Sequence, residues 1–158
     1  LSQRAREFIS NNPNAEWYNN LQSKQQWISL MNHAKTIAIL GASAQRHKYG
    51  NIAVRAWRDR GFSVYPVNPA QESIEGLKCY RSILDIPGEV EIASVYLQPE
   101  ITLEVLPSIA QKGVKENFLN PGSDNAAVLQ KARELGLNVI QACSILAAGK
   151  SPADYARS

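Results

Sequence analysis

Thr36-Ile37-Ala38-Ile39-Leu40-Gly41-Ala42-Ser43, followed closely by Tyr49-Gly50-Asn51 and an apolar-periodic segment, is the stretch on which the reading of this chain turns. A strand buried on both faces needs a near-continuous aliphatic run, and Ile37 to Leu40 supplies one. The glycine that ends it lacks a Cβ, which allows a tight turn and a close approach of backbone to a ligand. A helix beginning just beyond presents unpaired N–H groups and the positive end of its dipole, and the natural guest of such a turn is a phosphate or pyrophosphate. Gly41, Ala42, Ser43, Tyr49, Gly50 and Asn51 are therefore placed at the candidate site. A purely structural turn with no ligand is the competing reading of this one loop. On the ligand reading, a side chain at Gly41, as in Gly41→Val, is expected to block the pyrophosphate.

Outward from this stretch the pattern repeats. Ile52, Ala53, Ala56 and Trp57 form the apolar face of a helix, with Arg55, Arg58 and Asp59 expected toward water and Gly61 at its end. Phe62 to Val67 reads as the second strand, stopped at Asn68-Pro69 because proline cannot donate to a ladder. Gln71 to Pro87 reads as a loop with a short helical turn near Ser82 to Asp85. Ile92 to Leu97 is the third strand. A helix then starts at Pro99, with Ile101, Val105, Leu106 and Ile109 inward, Pro107 bending it or limiting its first turns, and Gly113 ending it. Lys115 to Leu119 is the fourth strand, Pro121-Gly122 a turn, and Asp124 the expected N-cap of a helix carrying Val128, Leu129, Ala132 and Leu135. Asn138 to Ala142 is the fifth strand, and Ser144 to Ser158 a small-residue tail.

Strands alternating with helices imply an α/β protein, with a Rossmann-like, doubly wound, five-stranded parallel sheet and right-handed crossovers. With the first βαβ unit central, the expected strand order is 3-2-1-4-5. Ligands of open α/β sheets bind at the carboxyl ends of the strands. That edge collects Gly41-Ala42-Ser43, Asn68 and Pro69, Leu97 and Gln98, Asn120-Pro121-Gly122, and Cys143. The loop from Ala44 to Tyr49 adds Arg46 and Lys48 as cations for phosphate, with His47 within reach of the same charge.

Residues 1–34 are expected to form an N-terminal helical extension and residues 35–158 the Rossmann-like domain. Leu1, Ala5, Phe8 and Ile9 recur at helical spacing, Asn11 to Asn14 breaks the pattern, and a second helix is expected from about Leu21 to Ala34. Its aromatics, like Trp17, are expected to pack on the sheet or on a sister subunit. The opening Leu1-Ser2-Gln3-Arg4 has no apolar leader core and, lacking a starting Met, is expected to be the end of a processed or trimmed chain.

Composition narrows the function classes. A chain of 158 residues can bury its own core, and 44% hydrophobic with 20% charged residues is ordinary for a globular protein. No apolar run approaches the ~20 residues of a membrane span. The net charge of +3 is scattered rather than gathered into a stripe with interleaved aromatics, which argues against nucleic acid. Cys79 and Cys143 stand far apart without CxxC or His-rich neighbours, so neither zinc nor a disulfide framework is signalled and a reducing cytoplasm fits. His33 reads as solvated near a helix end, and neither histidine stands at triad spacing from a nucleophile. Cys143 would be reactive only with a lowered pKa. No catalytic constellation emerges.

The chain resembles the small stand-alone CoA-binding proteins of Rossmann-like fold, related to the CoA-binding domain of succinyl-CoA synthetase. The resemblance covers roughly Lys35 to Leu146. It is carried by Ile39 to Ser43, by Gly61-Phe62-Ser63-Val64-Tyr65-Pro66-Val67-Asn68-Pro69, by Gly76 to Ile83, by Ile86-Pro87, and by Gly136 to Ile140 leading to Cys143. It implies a coenzyme A or acyl-CoA ligand and a sensor or accessory role without its own catalysis. The expected partners are thus a small-molecule nucleotide ligand and a second copy of the chain or a partner protein. Two points differ from the family pattern: Leu97-Gln98 stands where an aromatic-arginine pair is frequent, and Phe118-Leu119-Asn120-Pro121-Gly122 where tryptophan-x-glutamine-x-glycine is usual. An NAD(P)-binding enzyme or regulator is the alternative, but the chain lacks the full G-x-G-x-x-G and has Asn68 where NAD folds carry an acid at the end of strand two. An interaction protein with an empty ancestral pocket is the third reading.

Overall fold

The computed structural model describes residues 32–155. The helices expected before Asn32, and Trp17 and Trp27 with them, lie outside the described residues. Five parallel strands form the main sheet: β1 (Thr36–Leu40), β2 (Ser63–Val67), β5 (Ile92–Val95), β6 (Glu116–Leu119) and β7 (Val139–Ile140). Between β2 and β5, where a plain loop was expected, β3 (Ser73–Ile74) and β4 (Leu77–Lys78) make a small antiparallel hairpin. The expected helical turn follows as a 3₁₀ turn over Ile83–Asp85, capped by the Ser82 side chain.

The strand order is β2-β1-β5-β6-β7, which corrects the expected 3-2-1-4-5: the third long strand pairs with β1, and β2 is the edge. Burial explains the choice. All of Ile92 to Val95 is buried, as a strand flanked on both sides must be, whereas β2 exposes Ser63 and contains Pro66, which cannot donate and is tolerated at an edge. The outer side of β2 is partly closed by Tyr80, whose N–H donates to the Pro66 carbonyl (2.9 Å) and whose carbonyl accepts from Asn68 N–H (2.9 Å).

Helices cover both faces. On one lies α1 (Tyr49–Asp59), with Ile52, Ala53, Ala56 and Trp57 packed on Ile37, Ile39, Ile92 and Phe118. On the other lie α2 (Pro99–Lys112) and α3 (Ala126–Glu134), with Leu106, Ile109, Val128 and Ala132 against Ala38, Leu40, Val95 and Leu119. Trp57 is fully buried, edge-on to Phe62 at 4.8 Å between ring centroids.

Several local expectations change in this packing. Pro107 lies inside an unbroken α2, which carries on to Gly113 at φ 77° as expected. The buried positions of α2 are Thr102, Leu106 and Ile109, while Ile101 is exposed, so the inward stripe is rotated from the one expected. Asn125 rather than Asp124 caps α3, its side chain accepting from Val128 N–H, and Asp124 instead accepts from Gln141. The region after β7 is no loose tail: α4 (Ser144–Ala147) buries Ile145 against the α1 face, and a capped 3₁₀ turn follows over Pro152–Asp154. No helix among the described residues is long and apolar enough to cross a membrane.

Candidate functional site

In this strand order the chain reverses direction across the sheet between β1 and β5, and a crevice opens there beyond the carboxyl ends of the strands. Ladder bonds carry the connecting loops to its walls: Tyr96 N–H donates to the Leu40 carbonyl (2.8 Å) and Gly41 N–H to the Val67 carbonyl (3.2 Å). The resulting cleft has a volume of about 570 Å³, within the range of small-molecule sites. The loop after β1 and the start of α1 supply Gly41 to Ser43 and His47 to Gly50. Asn68 follows β2, Tyr96 to Gln98 follow β5, and Pro121 to Ser123 follow β6.

Most of the residues picked from sequence meet here. Gly41, Ala42, Ser43, Lys48, Tyr49, Gly50, Asn68, Leu97, Gln98 and Gly122 all line the cleft. The others stand behind it or apart. Asn51 is buried, with its amide nitrogen donating to the Ser43 carbonyl (2.9 Å). Arg46 turns to Glu75, 2.5 Å from guanidinium nitrogen to carboxylate oxygen. Pro69 is exposed beyond the rim. Cys143 is outside the lining, and burial pushes its thiol pKa up, opposite to the lowering that a reactive thiol needs.

Asn120 is also behind the wall, where it organises it. Its amide nitrogen donates to Ser94 Oγ (2.9 Å) and to the Val95 carbonyl (2.8 Å), and its oxygen accepts from Ser144 N–H (2.8 Å). Ser144 Oγ lies 2.6 Å from Ser94 Oγ and 3.0 Å from the Tyr96 hydroxyl, and accepts from Trp57 Nε1 (3.3 Å). One hydroxyl proton and two lone pairs satisfy all three neighbours of Ser144. Burial raises the Tyr96 pKa well beyond its ordinary value, which keeps its hydroxyl protonated and available to this network. Tyr96 and Ser123 escaped sequence reasoning. Tyr96 was hidden because the strand was extended to Leu97, whereas it ends at Val95 and makes Tyr96 the first loop residue.

Two glycines fix the loop for reasons internal to the protein. A Cβ on Gly50 would lie 2.2 Å from the Gly41 carbonyl oxygen, and one on Gly41, at φ 83°, would lie 2.6 Å from the Tyr96 carbonyl oxygen. The obstruction expected of Gly41→Val is therefore met first inside the fold. At α1 the N-cap is Lys48, with no side-chain bond closing the helix end and no acid in the first turn. The first-turn amides of Tyr49 and Gly50 consequently adjoin the cleft with the positive end of the helix dipole. None of the lining residues is an aspartate or glutamate, and Lys48 adds a positive charge.

The fold and cleft define a Rossmann-like α/β domain with an anion-suited crevice at its switch point. The chain belongs to the CoA binding domain family, which it matches over residues 35–150. It is 37% identical over 119 residues to acetate–CoA ligase [ADP-forming] II of Archaeoglobus fulgidus, an alignment that covers 68% of this chain and 18% of the ligase. The chain thus spans about a fifth of that relative. It is 26% identical to the uncharacterized protein YneT of Bacillus subtilis, covering 75% of this chain and 87% of YneT. Among solved structures it is similar to a hypothetical protein from Pyrococcus horikoshii OT3, with TM-score 0.70 and 33% identity, covering 75% of this chain and 82% of that one.

Proposed function

We propose that the chain binds coenzyme A or an acyl-CoA in the cleft between β1 and β5, as a binding or accessory unit rather than a catalyst. The observation that carries this reading is the glycine turn set against an uncapped helix N-terminus, with Lys48 alongside and no carboxylate in the lining. A pyrophosphate fits such a corner. The exposed ring of Tyr49 at the rim offers a stacking face for a base. Membership of the family and the likeness to CoA ligases support the ligand class. Cys79 and Cys143 are both free thiols, in keeping with a cytoplasmic setting.

Asn68 separates this reading from NAD. Its amide nitrogen donates to the Ala42 carbonyl (2.8 Å) and its oxygen accepts from Ala70 N–H (2.8 Å), so it ties β1 to β2 and offers no charge to a ribose. In a thermal-shift series, CoA or acetyl-CoA is expected to raise the melting temperature at lower concentration than NAD, NADP or ATP. A ligand specific for the folded state adds ~2.7 kcal/mol at about 100 times its Kd. Protection by NAD at lower concentration than CoA would reverse the assignment.

Salt dependence locates the charges. CoA affinity is expected to fall as ionic strength rises, and Lys48→Ala to flatten that fall, because an exposed cation acts through a screened field. Arg46→Ala is expected to flatten it less, since Glu75 already balances Arg46. Parallel salt curves for wild type and Lys48→Ala would assign the phosphates to backbone amides alone.

A further inference from the structure

Glu75 sits at the tip of the β3–β4 hairpin, outside the cleft lining, and occupies its position against local preference. It has φ 52° and the following Gly76 has φ 76°, the paired positive values of a type I′ turn. The first of those positions favours Asn, Asp or Gly, whereas Glu is the one non-glycine residue at positive φ among the described residues.

What its side chain does there is specific. One carboxylate oxygen accepts from Arg46 Nη1 at 2.5 Å and the other from the Asn51 amide nitrogen at 3.3 Å, while the Glu75 carbonyl accepts from Arg58 Nη1 at 2.8 Å. The same Asn51 nitrogen donates to the Ser43 carbonyl, and Asn51 Oδ1 accepts from Arg55 Nε at 2.8 Å. Arg55 Nη2 in turn donates to the Arg46 carbonyl at 2.7 Å. Both ends of the segment 43–46 are thus tied to the first turns of α1, and Glu75 ties that assembly to the hairpin. Arg55, expected toward water, is buried because it completes this circuit.

We propose that Glu75 is a positioning residue for the cleft: its carboxylate clasps the loop from Ser43 to Lys48 in the ligand-ready shape before the ligand arrives. This rests on the reading of the cleft as a CoA site. A loop already ordered loses less conformational freedom on binding, and the gain appears as affinity. The side chain holding the clasp is only 12% exposed, against 49% for Arg46, so the contact is less screened than a surface pair.

The test uses Glu75→Asn, which suits the turn better than Glu but is too short to reach Arg46 and Asn51 together, and Glu75→Gln, which keeps the length and one acceptor oxygen. For each, thermal melting, amide hydrogen exchange over residues 43–48 and CoA affinity by calorimetry are compared with wild type. Glu75→Asn is expected to melt no lower than wild type, to exchange faster over 43–48, and to bind CoA roughly five- to tenfold more weakly. Glu75→Gln should fall between. Unchanged exchange over 43–48 in folded Glu75→Asn overturns the clasp. Faster exchange with unchanged or tighter CoA binding also overturns it, because Glu75 would then be idle or a competitor for Arg46. If wild type itself binds no CoA, the ligand reading fails, while the exchange comparison still decides whether Glu75 orders the loop.

Discussion

Trp57→Ala is expected to destabilise the domain by about 4 kcal/mol, the middle of the range for emptying a large buried aromatic site. The indole is fully buried, meets Phe62 edge-on, and donates to Ser144 Oγ. Its removal opens a void beneath β1 and β5 and releases the side-chain bond that ties α1 to α4. Neighbouring side chains cannot collapse into the space, because Ile37, Ile39 and Phe118 are themselves held on strands. Urea denaturation should show an earlier midpoint with an unchanged slope. Trp57→Phe keeps most of the packing and loses the N–H, so it should cost about 1 kcal/mol from the hydrogen bond plus a smaller cavity term. A loss below about 1 kcal/mol for Trp57→Ala would contradict a close-packed face under the cleft.

The second large effect belongs to Gly50→Ala, for which a loss of about 3 kcal/mol is expected, together with loss of ligand binding. Unlike Gly41, this residue has an ordinary negative φ, so the new methyl group is excluded by space alone. Its nearest neighbour would be the Gly41 carbonyl oxygen at 2.2 Å, a backbone atom that no rotamer change can move. Relief requires α1 to shift away from the glycine turn, which separates the first-turn amides from the loop they face. Overpacking of this kind typically costs 1 to 3 kcal/mol, and a backbone-to-backbone clash stands at about the top of that range. Gly61→Ala provides the comparison: a Cβ there meets nothing, so only its positive φ of 93° opposes the change, at a cost of about 1 kcal/mol. Calorimetry with CoA and denaturation on both variants separates lost space from lost backbone freedom. Equal stability of Gly50→Ala and wild type would mean that helix and turn are less closely apposed.

The sequence by itself determined the five strands of the parallel sheet, the three helices that cover it and the edge where the cleft lies, but not the β3–β4 hairpin or α4. A β-branched run reports a strand buried on both faces, a 3.6-residue period reports a helix, and a glycine after a strand reports a turn; each signal lies within a few neighbouring residues. For the same reason Gly41 to Ser43, Asn68, Leu97, Gln98 and Gly122 are assignable to one edge from the sequence alone. Tertiary structure alone decided that β5 lies beside β1, since the competition between β2 and β5 for the interior depends on Pro66 and on which faces the helices cover. It also decided the fate of the polar residues. Arg55 carries a charge that reads as solvent-facing, yet it is buried by bonds to Asn51 and the Arg46 carbonyl, and Ser144 looks like part of a tail until Ser94, Tyr96 and Asn120 converge on it. A hydrogen bond between residues 24 to 50 positions apart has no local signature, because its partners are chosen by the packing that brings them together.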